Sequence, residues 1–272
     1  MRRLIIYLIC GILLFMAPSQ VHGQPPAADT GFVVLYDIVY KSIIVSSEDT
    51  ARLALDLYTN ASADNHMRPA ILFVHGGGFW EGDKRSTFYQ QMATAFAQQG
   101  YVAISVNYRL KKESERYSGA VLDTCIADVM DAVKWIRRNN AAYKVDTARL
   151  FICGDSAGGA IAVNASYHPE NHHYFMGCID LWGGLPGKNG WDYPIYSDRL
   201  FHKTPPTCIV QGTDDRIVPV KTSMQLQEKL VASGIRHQLL LLKKADHYPV
   251  ERTEEIASMT IAFTNKILSS NK

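Results

Sequence analysis

The sequence has no Cys-x-x-Cys pair, no Cys/His cluster at metal-ligand spacing and no Gly-x-Gly-x-x-Gly turn. Nothing in it therefore points to a zinc site or a dinucleotide fold, and neither metal nor cofactor is expected. It also lacks a charge surplus. Its 28 Lys and Arg stand against 26 Asp and Glu, and Arg2 and Arg3 at the very start match the difference. Nothing electrostatic draws the rest of the chain to nucleic acid or to an acidic membrane. Apolar runs long enough to span a bilayer are missing too: the run from Leu4 to Met16 falls short of the roughly 20 residues a helix needs. With 47% hydrophobic and 20% charged side chains over 272 residues, disorder is excluded and one large core fits.

What is present begins with a leader. Met1-Arg2-Arg3, the apolar run and the small-residue exit from Ala17 to Gly23 read as a cleaved secretory signal over residues 1–23. Bulky Ile9 before Cys10 argues against a lipoprotein. The expectation is a secreted or periplasmic protein, with residues 24–272 forming one domain and no membrane contact after cleavage. Four cysteines remain, Cys125, Cys153, Cys178 and Cys208. Their spacing matches no small disulfide scaffold, and three lie in apolar strand-like runs, so buried free thiols are expected.

Val33–Tyr40 and Leu53–Tyr58 alternate apolar with polar residues, as half-buried antiparallel strands do. Short continuous apolar runs then follow at Ala70–Val74, Tyr101–Val106, Leu150–Cys153, Phe175–Trp182, Cys208–Val210 and Gln238–Leu242, the pattern of strands buried on both faces. Helical spacing fills the gaps at Phe88–Gln98, Val121–Asn139, Ala157–Tyr167, Lys221–Ser233 and Glu254–Leu268. This alternation predicts an α/β fold: a mostly parallel sheet of about eight strands with helices on both faces and right-handed crossovers. Two stretches fit neither pattern. Lys111–Ser118 is charged and reads as a surface loop. Residues 183–204 are rich in Gly, Pro and aromatics, Trp191 and Tyr193 among them, and read as a lid or substrate loop.

Chemistry concentrates in three places. Leu150-Phe151-Ile152-Cys153 runs into Gly154-Asp155-Ser156-Ala157-Gly158 and then a helical pattern, a Gly-x-Ser-x-Gly turn in strand-turn-helix context. Such a turn lifts Ser156 above the sheet at a helix N-terminus, where developing negative charge is favoured. Upstream, a strand delivers His75-Gly76-Gly77-Gly78-Phe79-Trp80. Three consecutive glycines leave backbone N–H groups free to face a substrate oxygen, so Gly77 and Gly78, with Ala157, are candidate oxyanion donors. Gly76 is their neighbour, His75 is structural, and Gly76, Phe79, Trp80, Trp191 and Tyr193 are candidate substrate contacts. A serine needs a base and a group to orient it. His247, just after a buried strand, is the base candidate. The carboxylate should follow the preceding strand, where Asp214 and Asp215 stand side by side and spacing does not choose between them. Asp155 and Asp246 read as local hydrogen-bonding residues.

Taken together these motifs resemble the α/β-hydrolases of the His-Gly-Gly-Gly esterase and lipase group, related to the hormone-sensitive-lipase-like carboxylesterases. Within that group the chain is most similar to compact secreted bacterial esterases with acetyl-esterase or feruloyl-esterase-like domains. Asn107-Tyr108-Arg109-Leu110 and Asp128, the latter read as structural, extend the likeness. The family's Gly-x-x-Asp-x-x-Val-Pro stretch matches Gly212–Pro219 and places the carboxylate at Asp215. The resemblance implies the α/β-hydrolase fold, a short cap insert and ester hydrolysis through an acyl-enzyme. The chain departs from the pattern after Leu110, where Lys111-Lys112-Glu113 replaces the usual Pro-Glu continuation, and little sequence remains for an N-terminal cap. An open site of that kind, roofed mainly by residues 183–204, would admit bulky or carbohydrate-linked esters, and the substrate class expected is short-chain or carbohydrate-linked esters of acetyl or feruloyl type. Amide cleavage and a non-catalytic binding role on the same scaffold are the alternatives.

Overall fold

The computed structural model describes residues 31–44, 50–60, 66–111, 119–183 and 203–270. The alternating segments near the start form β1 (Phe32–Ile44) and β2 (Thr50–Asn60), an antiparallel pair. A bulge interrupts their register between Leu35 and Ile38. There Asp37 takes a φ of +55° and its amide donates to Asp56 Oδ1 at 2.7 Å. The continuous apolar runs become β3 (Arg68–Val74), β4 (Val102–Val106), β5 (Val145–Asp155), β6 (Gly177–Leu181), β7 (Thr207–Gly212) and β8 (His237–Leu242). The sheet order is β1-β2-β4-β3-β5-β6-β7-β8. β2 runs antiparallel to β4, and every later pairing is parallel.

Helices bridge the parallel strands: α1 (Thr87–Gln98), α2 (Gly119–Arg138), the short α3 (Asn140–Tyr143), α4 (Ala157–Tyr167), α5 (Val220–Ala232) and α6 (Thr253–Ser270). β3 makes the two-sided burial plain. Ala70, Leu72 and Val74 join the core with Val129 and Val133 of α2, Ile161 of α4 and Leu226 and Leu230 of α5. Ile71 and Phe73 join the opposite core with Phe88, Met92 and Phe96 of α1 and Ile256 and Phe263 of α6. A period-2 strand with no polar face is satisfied only this way, and each such Phe or Leu contributes about 1.5–3 kcal/mol on burial.

One expectation changes. Gln238–Leu242 reads as a strand buried on both faces, yet β8 is the sheet edge, paired to β7 alone, and Leu241 is exposed. Cys125, Cys153, Cys178 and Cys208 are free and buried, and burial pushes each thiol well above its ordinary range. Among the described residues no helix is long and apolar enough to cross a membrane. The leader over residues 1–23 lies outside the described residues, as does all of the 183–204 stretch except Gly183, Lys203 and Thr204.

Candidate active site

The parallel strands end together at one edge of the sheet, and the chemistry-bearing segments all leave from it. β3 opens into the glycine loop, β5 into Ser156, β7 into Asp215 and β8 into His247. Loops at the carboxyl ends of parallel strands are where α/β sheets form crevices.

Ser156 occupies the hinge between β5 and α4 with φ +48° and ψ −119°, a left-handed backbone that a non-glycine residue adopts only under constraint. The constraint is the close approach of the turn to its neighbours. A Cβ on Gly154 would lie 2.1 Å from the Gly158 carbonyl oxygen, and one on Gly158 would lie 2.0 Å from that of Val74. Glycine at both positions lets the turn seat against the end of β3. The Ser156 amide donates to the Leu181 carbonyl at 2.9 Å, anchoring the hinge to β6.

His247 Nε2 lies 3.0 Å from Ser156 Oγ, and its Nδ1 lies 2.8 Å from Asp215 Oδ2. With Asp215 ionised, Nδ1 carries the proton and donates, so Nε2 is free to accept from the serine hydroxyl. Asp215 is held on both oxygens. Oδ1 accepts the amides of Ile217 at 2.9 Å and Val218 at 2.8 Å, while Oδ2 also accepts Gln211 Nε2 at 2.9 Å. Burial pushes its pKa up, but the hydrogen bonds from His247, Val218 and Ile217 outweigh it and leave the carboxyl below its ordinary value. Asp214 is differently placed: its side chain accepts the Thr213 hydroxyl and its amide donates to the Ala245 carbonyl.

The glycine loop faces this row. Gly77 (φ +102°) and Gly78 (φ +59°) need left-handed backbone, and the Gly77 carbonyl accepts the amides of Trp80 and Glu81 to close the turn. Among the described residues no hydrogen bond occupies the N–H groups of Gly77, Gly78 or Ala157. The Gly76 N–H is taken, donating to Asp155 Oδ1 at 2.6 Å. His75 is buried and stacked on Tyr108 with centroids 4.5 Å apart, and its Nδ1 bonds the Gly76 carbonyl; burial holds its pKa below the ordinary value.

A cleft of about 530 Å³ opens over these groups, with Gly76–Gly78, Trp80, Glu81, Asp83, Ser156, Ile217, His247 and Tyr248 in its walls. Phe79 corrects an expectation: it is 1% exposed and packs into the core beneath the loop, so it does not line the cleft. The apolar wall is formed instead by Trp80 with Ile217 and Tyr248, neither of which the sequence reasoning named. For Tyr248 a signal existed, its place directly after His247. The supports of Asp215, Gln211 with Ser223 Oγ at 2.7 Å behind it, carried no such signal. Trp191 and Tyr193 lie outside the described residues. Asp128 is buried between Arg109 and Lys41, at 2.6 Å from each, and Asp246 pairs with the exposed Arg216, so both are structural contacts. Among the described residues no group of His, Cys, Asp or Glu could hold a metal ion.

Residues 55–180 match the BD-FAE family, and residues 188–270 match the prolyl oligopeptidase family. The chain is similar to esterase LipC of Mycobacterium tuberculosis, 22% identical over 71% of this chain and 56% of that one. It is also similar to arylacetamide deacetylase of Bos taurus, 30% identical over 53% of this chain and 33% of that one. The matched part thus spans about half or less of those relatives' length. Among solved structures, esterase 2 of Thermogutta terrifontis phosphoramylated by tabun superposes with a TM-score of 0.67 at 23% identity. That match covers 87% of this chain and 96% of the other, a likeness of fold.

Proposed function

We propose that the chain is a serine carboxylesterase of the α/β-hydrolase esterase–lipase group, working through an acyl-enzyme, a reading supported by the family matches and the esterase relatives. The observation that carries the reading is the continuous relay of Ser156, His247 and Asp215 under the cleft, with contacts of 3.0 and 2.8 Å. Ser156 Oγ attacks the ester carbonyl while His247 Nε2 takes its proton, and Asp215 holds the ring and stabilises the imidazolium. The N–H groups of Gly77, Gly78 and Ala157 receive the developing oxyanion. His247 then returns the proton to the departing alcohol. A water enters, His247 takes its proton, and the hydroxide attacks the acyl carbonyl, freeing the acid and Ser156.

We assign the substrate to short-chain or carbohydrate-linked esters, of acetyl or feruloyl type, because the described part of the cleft is open and walled on one side by Trp80, Ile217 and Tyr248. From the leader-like residues 1–23 we propose a place outside the cytoplasm, in a periplasm or the medium. Hydrolysis of p-nitrophenyl esters from acetate to octanoate, with Ser156→Ala alongside, tests the assignment. Serine-dependent activity falling steeply beyond butyrate supports it, and equal rates in the variant sink it. Amide cleavage is the second reading, favoured by the prolyl oligopeptidase match over residues 188–270. An anilide cleaved faster than its matched ester would decide for it.

A further inference from the structure

Asp155 stands one residue before Ser156, and no step of the proposed reaction uses it. Its side chain is buried between the nucleophile turn and the glycine loop. Oδ1 accepts the Gly76 N–H at 2.6 Å and meets the Tyr89 hydroxyl at 2.5 Å. The Asp155 amide in turn donates to the Tyr89 oxygen at 3.1 Å, and that hydroxyl lies 2.8 Å from the Val74 carbonyl. One tyrosine of α1 therefore ties the end of β3 to the end of β5, and one carboxylate ties the first glycine of the loop to the serine turn. The fit is close at Gly76, where a Cβ would lie 2.6 Å from Asp155 Oδ2.

We propose that Asp155 and Tyr89 are positioning residues that clamp the glycine loop to the nucleophile turn, fixing the reach from the Gly77 and Gly78 N–H groups to that of Ala157. The inference rests on the hydrolase reading, in which those three N–H groups receive the oxyanion. They come from two segments joined by no covalent bond nearer than the whole of β4 and α2. Oxyanion donors work within a few tenths of an ångström, so the two segments must be held together by something rigid. Asp155 supplies it at a cost to the fold. Burial outweighs the bonds from Tyr89 and Gly76 and pushes its pKa up to about 6, the sign of a carboxylate kept where water serves it poorly. Gly76 is thereby assigned to the clamp rather than to substrate.

The test uses the full chain with p-nitrophenyl butyrate, comparing wild type, Ser156→Ala, Asp155→Ala, Asp155→Asn and Tyr89→Phe, each checked for a cooperative thermal melt. Loss of a transition-state contact lowers kcat and kcat/KM together. Asp155→Ala should lose about 10²-fold in kcat and Tyr89→Phe about tenfold, both with KM within about twofold of wild type. Asp155→Asn, whose Oδ1 still accepts both bonds, should recover most of that loss. A wild-type kcat in Asp155→Ala, a loss confined to KM, or an Asn variant no better than Ala overturns the clamp. Should Asp155→Ala fail to fold, Tyr89→Phe decides, since its ring stays packed on Phe73 and Phe88, and an unchanged kcat overturns the proposal. Full activity in Ser156→Ala refutes the hydrolase reading itself, a failure distinct from any result at Asp155.

Discussion

Gly158→Ala sets two effects against each other whose sizes are known. Gly158 is the second residue of α4, and alanine is favoured over glycine in helices by about 1 kcal/mol, so propensity alone predicts a more stable protein. The surroundings predict the reverse. The new Cβ would lie 2.0 Å from the Val74 carbonyl oxygen and 2.6 Å from that of His75, both backbone atoms of the strand end and neither able to swing aside. Ordinary contact requires more than 3 Å, so the serine turn must withdraw from β3 by about 1 Å. Overpacking usually costs about 1–3 kcal/mol, and more where backbone must move, so the net loss should reach about 2 kcal/mol or more. In a protein of this size that lowers Tm by roughly 4–8 °C. The same displacement separates Ala157 from the glycine loop, and misplacement of about 1 Å near reacting groups costs about 10²-fold in rate. Thermal melts and p-nitrophenyl butyrate kinetics read the two losses. Gly100→Ala is the control: it strains a φ of +85° in open space, away from the cleft, and should lower Tm without touching kcat. A Gly158→Ala protein as stable as wild type would refute the reasoning, because helix propensity would then have won over the clash.

Three further outcomes follow from buried groups. Gln211→Leu strips Asp215 Oδ2 of one donor and leaves the Ser223 hydroxyl without its acceptor; about 1–3 kcal/mol of stability should go, with kcat lowered and KM kept. Unchanged kinetics there would mean that the Ile217 and Val218 amides alone orient the acid. Asp56→Ala removes the buried partner of Lys84, which is 3% exposed and only 3.0 Å away, and should cost about 3–5 kcal/mol in urea unfolding; a loss under about 1 kcal/mol would show that Asp37 suffices. For Asp155 the folded pKa of about 6 lies above the ordinary 3.8, so the native state holds the proton longer than the unfolded chain. Its contribution to stability is full below about pH 4 and is lost as pH rises through 6. Asp155→Asn, which does not titrate, should therefore gain in Tm relative to wild type between pH 4 and 7, and a constant difference would contradict the raised pKa.

Much of this architecture is legible in the sequence because burial on both faces leaves few polar residues in a strand. Ala70–Val74 is readable for that reason, and so is α4, whose eleven residues are all buried. β8 misleads by the same rule, since Gln238–Leu242 is as apolar as an inner strand while half of it meets solvent at the sheet edge. Phe79 misleads through proximity. It stands between Gly78 and Trp80, but its φ of +75° turns the ring into the core while Trp80 goes to the cleft. Position in a motif gives the neighbourhood of a side chain, not its direction, and a left-handed backbone reverses the usual alternation.

The adjacent aspartates mark the limit more sharply. Spacing leaves Asp214 and Asp215 equivalent, and what separates them is which one finds donors for a buried charge. Exposed Asp214 spends its amide on the Ala245 carbonyl and its carboxylate on the Thr213 hydroxyl, as a turn residue does. Asp215 turns inward to two amides, Gln211 and His247, and its side chain is fully buried. Those donors come from β7, from the chain that follows it and from the loop after β8. No local window of sequence contains them all. A carboxylate can be buried beside a histidine only where the fold has assembled four N–H groups around it, and that assembly, rather than the identity of the residue, is what selects Asp215.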